Sequence, residues 1–576
     1  MRRGSKLVIY QMITRLFGNC KSLNKHYGTL KENGVGKFDD ISDKALAEIR
    51  ALGISHIWYT GVIEHAVLTD YSKYGIVRDF PEIVKGMAGS PYAIRDYYDV
   101  NPDLARDVPN RMQEFESLID RTHKNRLKAI IDFVPNHVAR IYSSDNKPEG
   151  VIDFGTGDDQ EIRFSPHNNF YYIPDYAFKV PQDFEPIELI DYPIQSGTYQ
   201  EFPARATGND QFTPTPTKDD WFETVKLNYG VNYEDGSRHF DPFPDTWFKM
   251  LEILSFWTQK GVDGFRCDMA QMVPVEFWTW VIPKIKELNP DLIFIAEIYE
   301  AHRYHDYIFN GKFDYLYDKV GLYDTLRDII EGKGSTDQIS NVWKSQEGIS
   351  SYMLRFLENH DEQRIASKFF AQNPDKAIPG MVISAMMHTG PVMIYFGQEV
   401  GEPAQGPNGF SGDDGRTTYF DYWGVPEHQK WMNDGAFDGG NLSDAQRKLR
   451  ASYTYILRFC TKNEAINIGQ FYDLHFYNRS AEFTGYSNKV FAFLRYTKNQ
   501  RLLIVANFNE RNENCLIKIP NDALKLMNLS SIGTIQLVNI PKLKLTIPED
   551  LIINRNFEDG LRITVEHYGY LILKIN

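Results

Sequence analysis

Four short stretches of the sequence end in polar side chains of the kinds that catalyse reactions. Each stretch follows a run of apolar residues. They read DFVPNH, with Asp132, Asn136 and His137; GFRCD, with Arg266, Cys267 and Asp268; AEIYE, with Glu297; and FLENHD, with Asn359, His360 and Asp361. Three chemistries could use these residues: a cysteine nucleophile, a metal site, or carboxylates that act as nucleophile and acid.

The apolar runs before these residues are candidate strands of one parallel sheet. Eight such runs alternate with amphipathic segments, a pattern typical of α/β proteins. They begin at Lys6, Ile54, Leu127, Val262, Leu292, Phe313, Tyr352 and Pro391. Eight alternations over roughly 450 residues predict a (β/α)8 barrel with insertions. An open doubly wound sheet is the weaker alternative, because no glycine-rich phosphate loop follows the first run.

Two parts of the chain do not follow the barrel pattern. From Val138 to Asp241 the sequence is rich in proline, glycine, aspartate and aromatic residues and lacks a helical period, which predicts an irregular inserted subdomain. After residue 463, short alternating runs predict an antiparallel β-sandwich. We therefore expect three domains: a barrel from 1–137 and 242–463, an inserted subdomain at 138–241 and a sandwich at 464–576.

A barrel of this kind carries its active site at the carboxyl ends of the strands, so the four polar stretches are expected to converge there. Successive side chains of a strand point to opposite faces. Arg266 and Asp268 therefore share the face toward the barrel mouth. Cys267 points outward, where a free cysteine behaves as a small buried apolar residue. This placement argues against thiol catalysis.

A metal site is the second alternative. Histidine and carboxylate side chains at strand ends form metal centres of the amidohydrolase type, and five candidate ligands are present: Asp132, His137, Asp268, His360 and Asp361. Those centres usually place an H-x-H pair on the first strand. The first run here reads VIYQMI and has no histidine.

Carboxylate chemistry is the third alternative and the one that we favour. Glycoside hydrolysis needs one carboxyl group to protonate the leaving oxygen and a second to attack the sugar carbon or activate water. Arg266, one pleat from Asp268, is expected to lower the pKa of that carboxylate, as a nucleophile requires. The apolar neighbours of Glu297 are expected to raise its pKa, as a general acid requires.

Together and in this order, DFVPNH, GFRCD, AEIY and FLENHD resemble the four signature regions of the α-amylase family, glycoside hydrolase family 13. GISHIWYTGV, VKLNYG and GPVMIYFGQE resemble further regions of that family, and the resemblance spans residues 6 to 460. It implies a retaining hydrolase that cleaves α-1,4-glucosidic bonds in starch-like glucans or maltooligosaccharides through a covalent glucosyl intermediate. No cofactor is implied for the chemistry itself.

The resemblance also implies a role for each site residue. The three catalytic residues would be Asp268 as nucleophile, Glu297 as general acid and base, and Asp361 as the group that stabilises the transition state. The substrate-binding residues would be Tyr92, stacked on the sugar ring, His137, Arg266 and His360. Asp132 would be structural. Retention of configuration implies nucleophile and acid oxygens about 5 to 5.5 Å apart.

The sequence departs from the family three and four residues after Asp268. Many relatives carry a Lys-His pair where this chain has Gln271 and Met272. That pair binds the sugar beyond the cleavage point, and the backbone of its histidine helps to hold a calcium ion. Asn136 matches the family's calcium-binding asparagine, so the resemblance predicts a structural calcium at Asn136, although such an ion takes about 6 to 8 oxygen ligands.

Two other functions stay open at this point. The same intermediate could pass to a second sugar instead of water, as in glucanotransferases and trehalose-forming relatives, and the motifs do not decide between the two. A non-catalytic relative that only binds carbohydrate would typically have lost one of the three carboxylates. All three are present here.

Composition and short sequence features limit the binding partners and compartments that we expect for this protein. The net charge of −14 disfavours nucleic acid, and the longest apolar runs are far shorter than the roughly 20 residues that span a bilayer. The four cysteines have no paired spacing, and the oligomeric state is not indicated. The start MRRGSKLVIYQMI lacks the apolar core of a signal peptide, which favours a cytoplasmic protein unless a leader has been removed. The expected partner is an α-glucan.

Overall fold

Eight parallel strands form a sheet that closes into a barrel. The computed structural model describes residues 6–189, 198–406, 412–529, 532–538, 555–557 and 559–576. The barrel strands are β1 (Val8–Ile13), β2 (His56–Thr60), β3 (Lys128–Phe133), β4 (Gly264–Cys267), β5 (Ile293–Ala296), β6 (Tyr315–Tyr317), β7 (Met353–Leu354) and β8 (Val392–Tyr395). Strands β1 to β7 pair in chain order, and β8 lies beside β1. A parallel bridge from Arg355, directly after β7, to Val392 closes the ring.

Helices connect the barrel strands, and two more follow the last of these strands. In this part of the chain the helices of six or more residues are α1 (Asp43–Ala51), α2 (Arg111–Lys124), α3 (Asp245–Gln259), α4 (Val275–Leu288), α5 (Tyr304–Phe309), α6 (Asp324–Ile330), α7 (Asp337–Ser345), α8 (Ile378–Met386), α9 (Pro426–Met432) and α10 (Asp444–Lys462). Ser42 and Ser443 begin α1 and α10, since each side chain accepts a backbone N–H of the first turn. None of the described helices is long and apolar enough to cross a membrane.

Because successive side chains of a strand point to opposite faces, the barrel has two apolar clusters, one inside the ring of strands and one between the strands and the helices. The cluster inside the barrel collects side chains from seven strands or their ends, among them Ile9, Trp58, Ile130, Ile295, Tyr317, Leu354 and Met393. The alternate residues, such as Ile131 and Cys267, belong to the cluster that they share with helix residues such as Trp278. The predicted outward position of Cys267 is therefore confirmed.

Between β3 and α3 the chain makes an irregular insertion. His137–Ala139 pairs with Thr224–Lys226, and Tyr172–Ile173 pairs with Ala204–Arg205, both antiparallel. The first of these ladders starts directly after Asn136. The insertion is thereby fastened to the barrel at the end of β3, beside the predicted site. Residues 190–197 of this segment lie outside the described part of the chain.

Antiparallel sheets follow the barrel. The larger has the strand order Gln470–Asp473, Val490–Tyr496, Arg501–Asn507, Tyr570–Ile575 and Ile535–Leu537, and the smaller pairs Glu513–Ile517 with Leu561–Val565. Val490, Ala492 and Leu494 pack in a core with residues of the smaller sheet, whereas Phe491 and Phe493 pack in the cluster that the barrel strands share with the helices. A sheet buried on both faces explains the continuous apolar run VFAFL.

The predicted fold, a (β/α)8 barrel with an irregular insertion after the third strand and a C-terminal antiparallel sandwich, is confirmed. The division at residues 137, 241 and 463 remains our proposal. Helix α10 ends at Lys462, next to the last proposed boundary.

A buried arginine joins the larger sheet to the barrel. Arg495 is 1% exposed, and its guanidinium donates to four backbone carbonyls: Met387 at 2.8 Å, Ala465 at 3.1 Å, Ile466 at 3.0 Å and Gly469 at 2.8 Å. Because Met387 follows the last residue of α8, the cation also lies at the negative end of that helix dipole. Burial lowers the pKa of Arg495 to about 9.

Replacing this arginine with an apolar residue tests whether its hydrogen bonds stabilise the junction between the larger sheet and the barrel. We expect Arg495→Met to lower the free energy of unfolding by roughly 2 to 5 kcal/mol, because a buried carbonyl left without a donor costs about 1 to 3 kcal/mol. Urea unfolding followed by circular dichroism measures the change. Lys498→Met, at an exposed position in the turn after the same strand, is the control. Equal losses in the two variants would contradict the assigned role of Arg495.

Candidate active site

A buried arginine at the end of β4 holds three carboxylates. Arg266 Nη1 donates to Asp268 Oδ1 over 2.7 Å and to Asp132 Oδ1 over 3.4 Å. Its Nη2 lies 2.7 Å from Glu297 Oε2. Burial disfavours the charge of Arg266, but the surrounding groups outweigh that effect, and the pKa of Arg266 lies well above its ordinary value. The guanidinium is therefore a permanent cation at the centre of the site.

Aromatic rings surround the same guanidinium. Its carbon lies 5.2 Å from the ring centre of Trp58, 5.4 Å from that of Tyr92 and 5.5 Å from that of Tyr317. Trp58 Nε1 also donates to Asp132 Oδ2 over 3.0 Å. Cation–π contacts of this kind hold an arginine in place where water is excluded. Asp132 is thus part of a structural network, and burial raises its pKa to about 7.

The expected lowering of the Asp268 pKa is wrong in its net result, whereas the expected rise of the Glu297 pKa is confirmed. Burial raises the pKa of both carboxyl groups, and Arg266 opposes that rise in both. The sequence placed Arg266 beside Asp268 alone, whereas the structure places it between the two. The difference between them lies in their other hydrogen-bond donors.

Glu297 receives a donor on each oxygen. The N–H of Met269 donates to Oε2 over 2.8 Å, and the hydroxyl of Tyr299 donates to Oε1 over 2.6 Å. Met269 adopts a left-handed backbone conformation, with φ of 40°, which is strained for a residue with a side chain. That conformation turns the chain sharply after Asp268 and directs the N–H toward Glu297.

Tyr299 is a site residue that the sequence analysis missed, and Gln271, noted there only as a departure from the family, positions it. Gln271 Oε1 accepts the backbone N–H of Tyr299 over 2.7 Å and that of Glu300 over 3.1 Å. The residue that replaces the family's lysine thus fixes the segment that carries Tyr299. The spacing in AEIYE was the available signal, because residues 297 and 299 of an extended segment face the same side.

His360 and Asp361 lie beyond the end of β7. His360 Nδ1 is 2.8 Å from Gln11 Nε2, and His360 Nε2 contacts the Tyr92 hydroxyl and lies 3.2 Å from Asp361 Oδ2. Burial holds the pKa of His360 well below its ordinary value, so the ring is neutral at neutral pH. Burial, reinforced by the neighbouring Glu297, raises the pKa of Asp361 well above its ordinary value.

One cavity of about 530 Å³ collects most of the predicted residues. Its lining includes Tyr92, His137, Asp268, Glu297, His360 and Asp361. The insertion contributes Trp221, whose ring centre lies 5.2 Å from that of His137. Burial lowers the pKa of His137 to about 4, which makes it a second neutral imidazole. Arg266 does not line the cavity; it lies behind the carboxylates of Asp268 and Glu297, which do.

Asn136, the predicted calcium ligand, also lies outside the cavity lining. Its Nδ2 donates to the carbonyl of Gly208 over 2.7 Å, and its Oδ1 accepts a hydrogen bond from the Lys226 ammonium. Within the described ranges, no group of three or more His, Cys, Asp or Glu side chains is placed to hold a metal ion. The calcium site stays a prediction of the resemblance.

Comparison with known proteins gives a consistent result. The family model for the α-amylase catalytic domain matches residues 23–172 and 244–423, more than half of the chain. α-Amylase 3 of Dictyoglomus thermophilum is 24% identical over 448 residues, 73% of this chain and 74% of that protein. A cyclomaltodextrinase from a Bacillus species is 23% identical over 349 residues, 59% of this chain and 51% of that protein.

The fold comparison covers nearly the whole chain. The crystal structure of an α-amylase from Geobacillus thermoleovorans, solved with acarbose, has a TM-score of 0.60 at 16% identity. The alignment covers 99% of this chain and 98% of the other. At this identity the likeness shows a shared fold.

The buried position of Cys267 predicts that it takes no part in the chemistry. Burial holds the pKa of its thiol well above the ordinary value, so a thiolate does not form at neutral pH. We expect iodoacetamide to label the exposed Cys20 and to leave Cys267 unmodified in the folded protein, as peptide mass analysis would show. Cys267→Ser should lower the free energy of unfolding by about 1 to 3 kcal/mol, because its hydroxyl is buried in an apolar cluster. A labelled Cys267 in the native protein would refute this assignment.

Proposed function

The chain belongs to the α-amylase family of glycoside hydrolases, and on that premise we propose that it is a retaining hydrolase of α-1,4-glucosidic bonds in starch-like glucans or maltooligosaccharides. The observation that carries the proposal is the convergence of Asp268, Glu297 and Asp361 on one cavity. The relatives named α-amylase and cyclomaltodextrinase support an α-glucan as the substrate.

The distribution of charge around Arg266 supports the division of roles. Three carboxyl groups contact this guanidinium, Asp361 lies close by, and burial raises the pKa of all four. One cation cannot neutralise four clustered anions, three of which are buried, so protons are shared among the group. Asp268 accepts hydrogen bonds from Arg266, at 2.7 Å, and from Glu297, and both lower its pKa, so Asp268 is the carboxylate that we assign as ionised. Glu297 is the one that we assign as protonated.

The first step then transfers the glucosyl unit to the protein. A carboxylate oxygen of Asp268 forms a bond to the anomeric carbon, while the bond from that carbon to the glycosidic oxygen breaks. Glu297 gives its proton to the departing oxygen, which leaves as a hydroxyl of the shortened chain. Tyr92 would stack against the sugar ring, and the neutral imidazoles of His137 and His360 would hydrogen-bond its hydroxyls without adding charge to the site.

The second step releases the sugar. Glu297, now ionised, takes a proton from water, and the water oxygen attacks the anomeric carbon while the ester bond to Asp268 breaks. Two inversions give net retention of the α configuration. Asp361 would bind sugar hydroxyls most strongly when positive charge develops on the ring in each transition state.

The nucleophile assignment predicts a large and specific loss of activity. Asp268→Asn should reduce kcat on maltoheptaose by on the order of 10⁴-fold or more, because the amide cannot form the glucosyl ester. Asp291→Asn, at an exposed carboxylate just before β5, should keep full activity. Turnover of Asp268→Asn at the rate of the unaltered protein would overturn the assignment of roles.

The products identify the fate of the intermediate. Proton NMR of fresh products should show the α anomer first, and chromatography should show short maltooligosaccharides. Longer or rearranged oligosaccharides would instead identify a glucanotransferase that uses the same residues. Release of the β anomer would rule out retention.

The hydrogen bond from Tyr299 to Glu297 predicts a shift in the pH profile. The hydroxyl stabilises the ionised carboxylate and so lowers the pKa of Glu297. Its loss in Tyr299→Phe should raise that pKa further, because a charged hydrogen bond worth about 1.5 to 3 kcal/mol is removed. Because Glu297 must be protonated to act, the basic limb of kcat/KM should move to higher pH.

The acidic limb and a matched tyrosine provide the controls. The acidic limb reports the ionisation of Asp268 and should stay where it is. Tyr176→Phe, at a position 56% exposed in the insertion, should leave both limbs unchanged. A basic limb that does not move in Tyr299→Phe would show that this hydroxyl does not tune the acid.

A further inference from the structure

A buried lysine brings an ammonium group to the place where the resemblance predicts calcium. Lys226 ends the short strand Thr224–Lys226 and pairs with His137 in the ladder. Its Nζ donates to Asn136 Oδ1 and, over 3.4 Å, to the carbonyl of Met272, and it lies 2.7 Å from Asp210 Oδ1. The side chain is 2% exposed.

The three oxygens around this ammonium come from three separate parts of the chain. Asn136 follows β3, Asp210 lies in a turn of the insertion, and Met272 ends the short turn after β4. An ammonium carries three N–H donors. These three neighbouring oxygens therefore equal its donors in number.

The same contacts do not fit a divalent ion. Calcium takes about 6 to 8 oxygen ligands at about 2.3 to 2.6 Å, and the asparagine oxygen that would bind it is already taken by Lys226. A second cation at these oxygens would lie beside a buried ammonium, where salt does not screen the repulsion. The residues thus exclude calcium from this position for as long as the lysine side chain lies there.

The turn that carries Asp210 is packed tightly against the barrel. Asn136 Nδ2 donates to the carbonyl of Gly208 over 2.7 Å. A Cβ at Gly208 would lie 2.5 Å from Thr224 Oγ1 and 2.9 Å from His137 Cγ, so only glycine permits this approach. The ammonium is therefore at the centre of the contact between the insertion and the end of β3, and His137 of the cavity is part of that contact.

We propose that Lys226 is a built-in cation that replaces calcium and holds the insertion against the barrel, so that the folded protein needs no divalent ion at this place. The proposal rests on these contacts and not on the proposed reaction. It also predicts that removal of the lysine side chain exposes a set of oxygens that a divalent ion can use.

The unaltered protein provides the first test. Its melting temperature, measured by calorimetry, should be the same after dialysis against a chelator and in excess calcium chloride. A fall in the chelator that calcium reverses would overturn the proposal. This measurement needs no variant and is decisive even if substitutions at Lys226 prevent folding.

Substitutions provide the second test. Lys226→Met should lower the melting temperature by several degrees and speed proteolysis within residues 138–241, because Asp210 and Asn136 lose their shared partner. Lys179→Met, at an exposed lysine of the same insertion, should change neither. The same behaviour in both variants would show that Lys226 does not hold the insertion.

Calcium binding to a shortened variant provides the third test. In Lys226→Ala, calcium chloride should restore part of the lost melting temperature, and Asp210→Asn in the same protein should abolish that response. A Lys226→Ala protein whose melting temperature is indifferent to calcium would contradict the assignment of these oxygens as a cation site. All three measurements are independent of glucan hydrolysis, so their failure and a failure of the proposed function are distinguishable.

Discussion

The guanidinium of Arg266 is the interaction on which the candidate site depends. Burying a carboxylate without a partner costs several kcal/mol, and three carboxylates are buried around this one group. A lysine could not take its place, because a planar fork is needed to reach Asp268 with one nitrogen and Glu297 with the other. The rings of Trp58, Tyr92 and Tyr317 complete the surroundings of the guanidinium. The pKa values of the acids are therefore a property of the whole group and not of any one member.

The barrel supplies this arrangement through its register. Arg266 pairs with Asp132 of the neighbouring strand β3. Trp58 from β2, Glu297 from the end of β5 and Tyr317 from β6 reach the guanidinium on the same side of the sheet. A shift of one residue in any of these strands would turn a site residue outward, because the side-chain period is two. The apolar cluster below the site fixes that register. The same strand register therefore determines both the packing of the barrel core and the geometry of the site.

Local patterns predicted the parts of the structure that depend on local rules. The eight strands, the insertion after the third strand and the outward position of Cys267 follow from apolar runs and strand alternation. The net pKa of Asp268 does not, because it depends on how many acids reach one arginine. The links from Gln271 to Tyr299 and from Lys226 to Asp210 and Met272 join residues that lie 16 to 46 positions apart. VKLNYG was noted as a motif, yet only the fold shows what its lysine contacts.

A single turn connects the two buried cations. Within Asp268–Met272, the first residue accepts from Arg266, the N–H of the second donates to Glu297, and the carbonyl of the last accepts from Lys226. The backbone is strained at Met269, and contacts at both ends help to hold this turn in shape. Arg266 holds one end from inside the barrel, and Lys226 holds the other from the insertion. Because a lysine is covalently part of the chain, that second hold does not vary with the concentration of a free ion. The position of Asp268, our proposed nucleophile, is therefore linked through these five residues to the docking of the insertion.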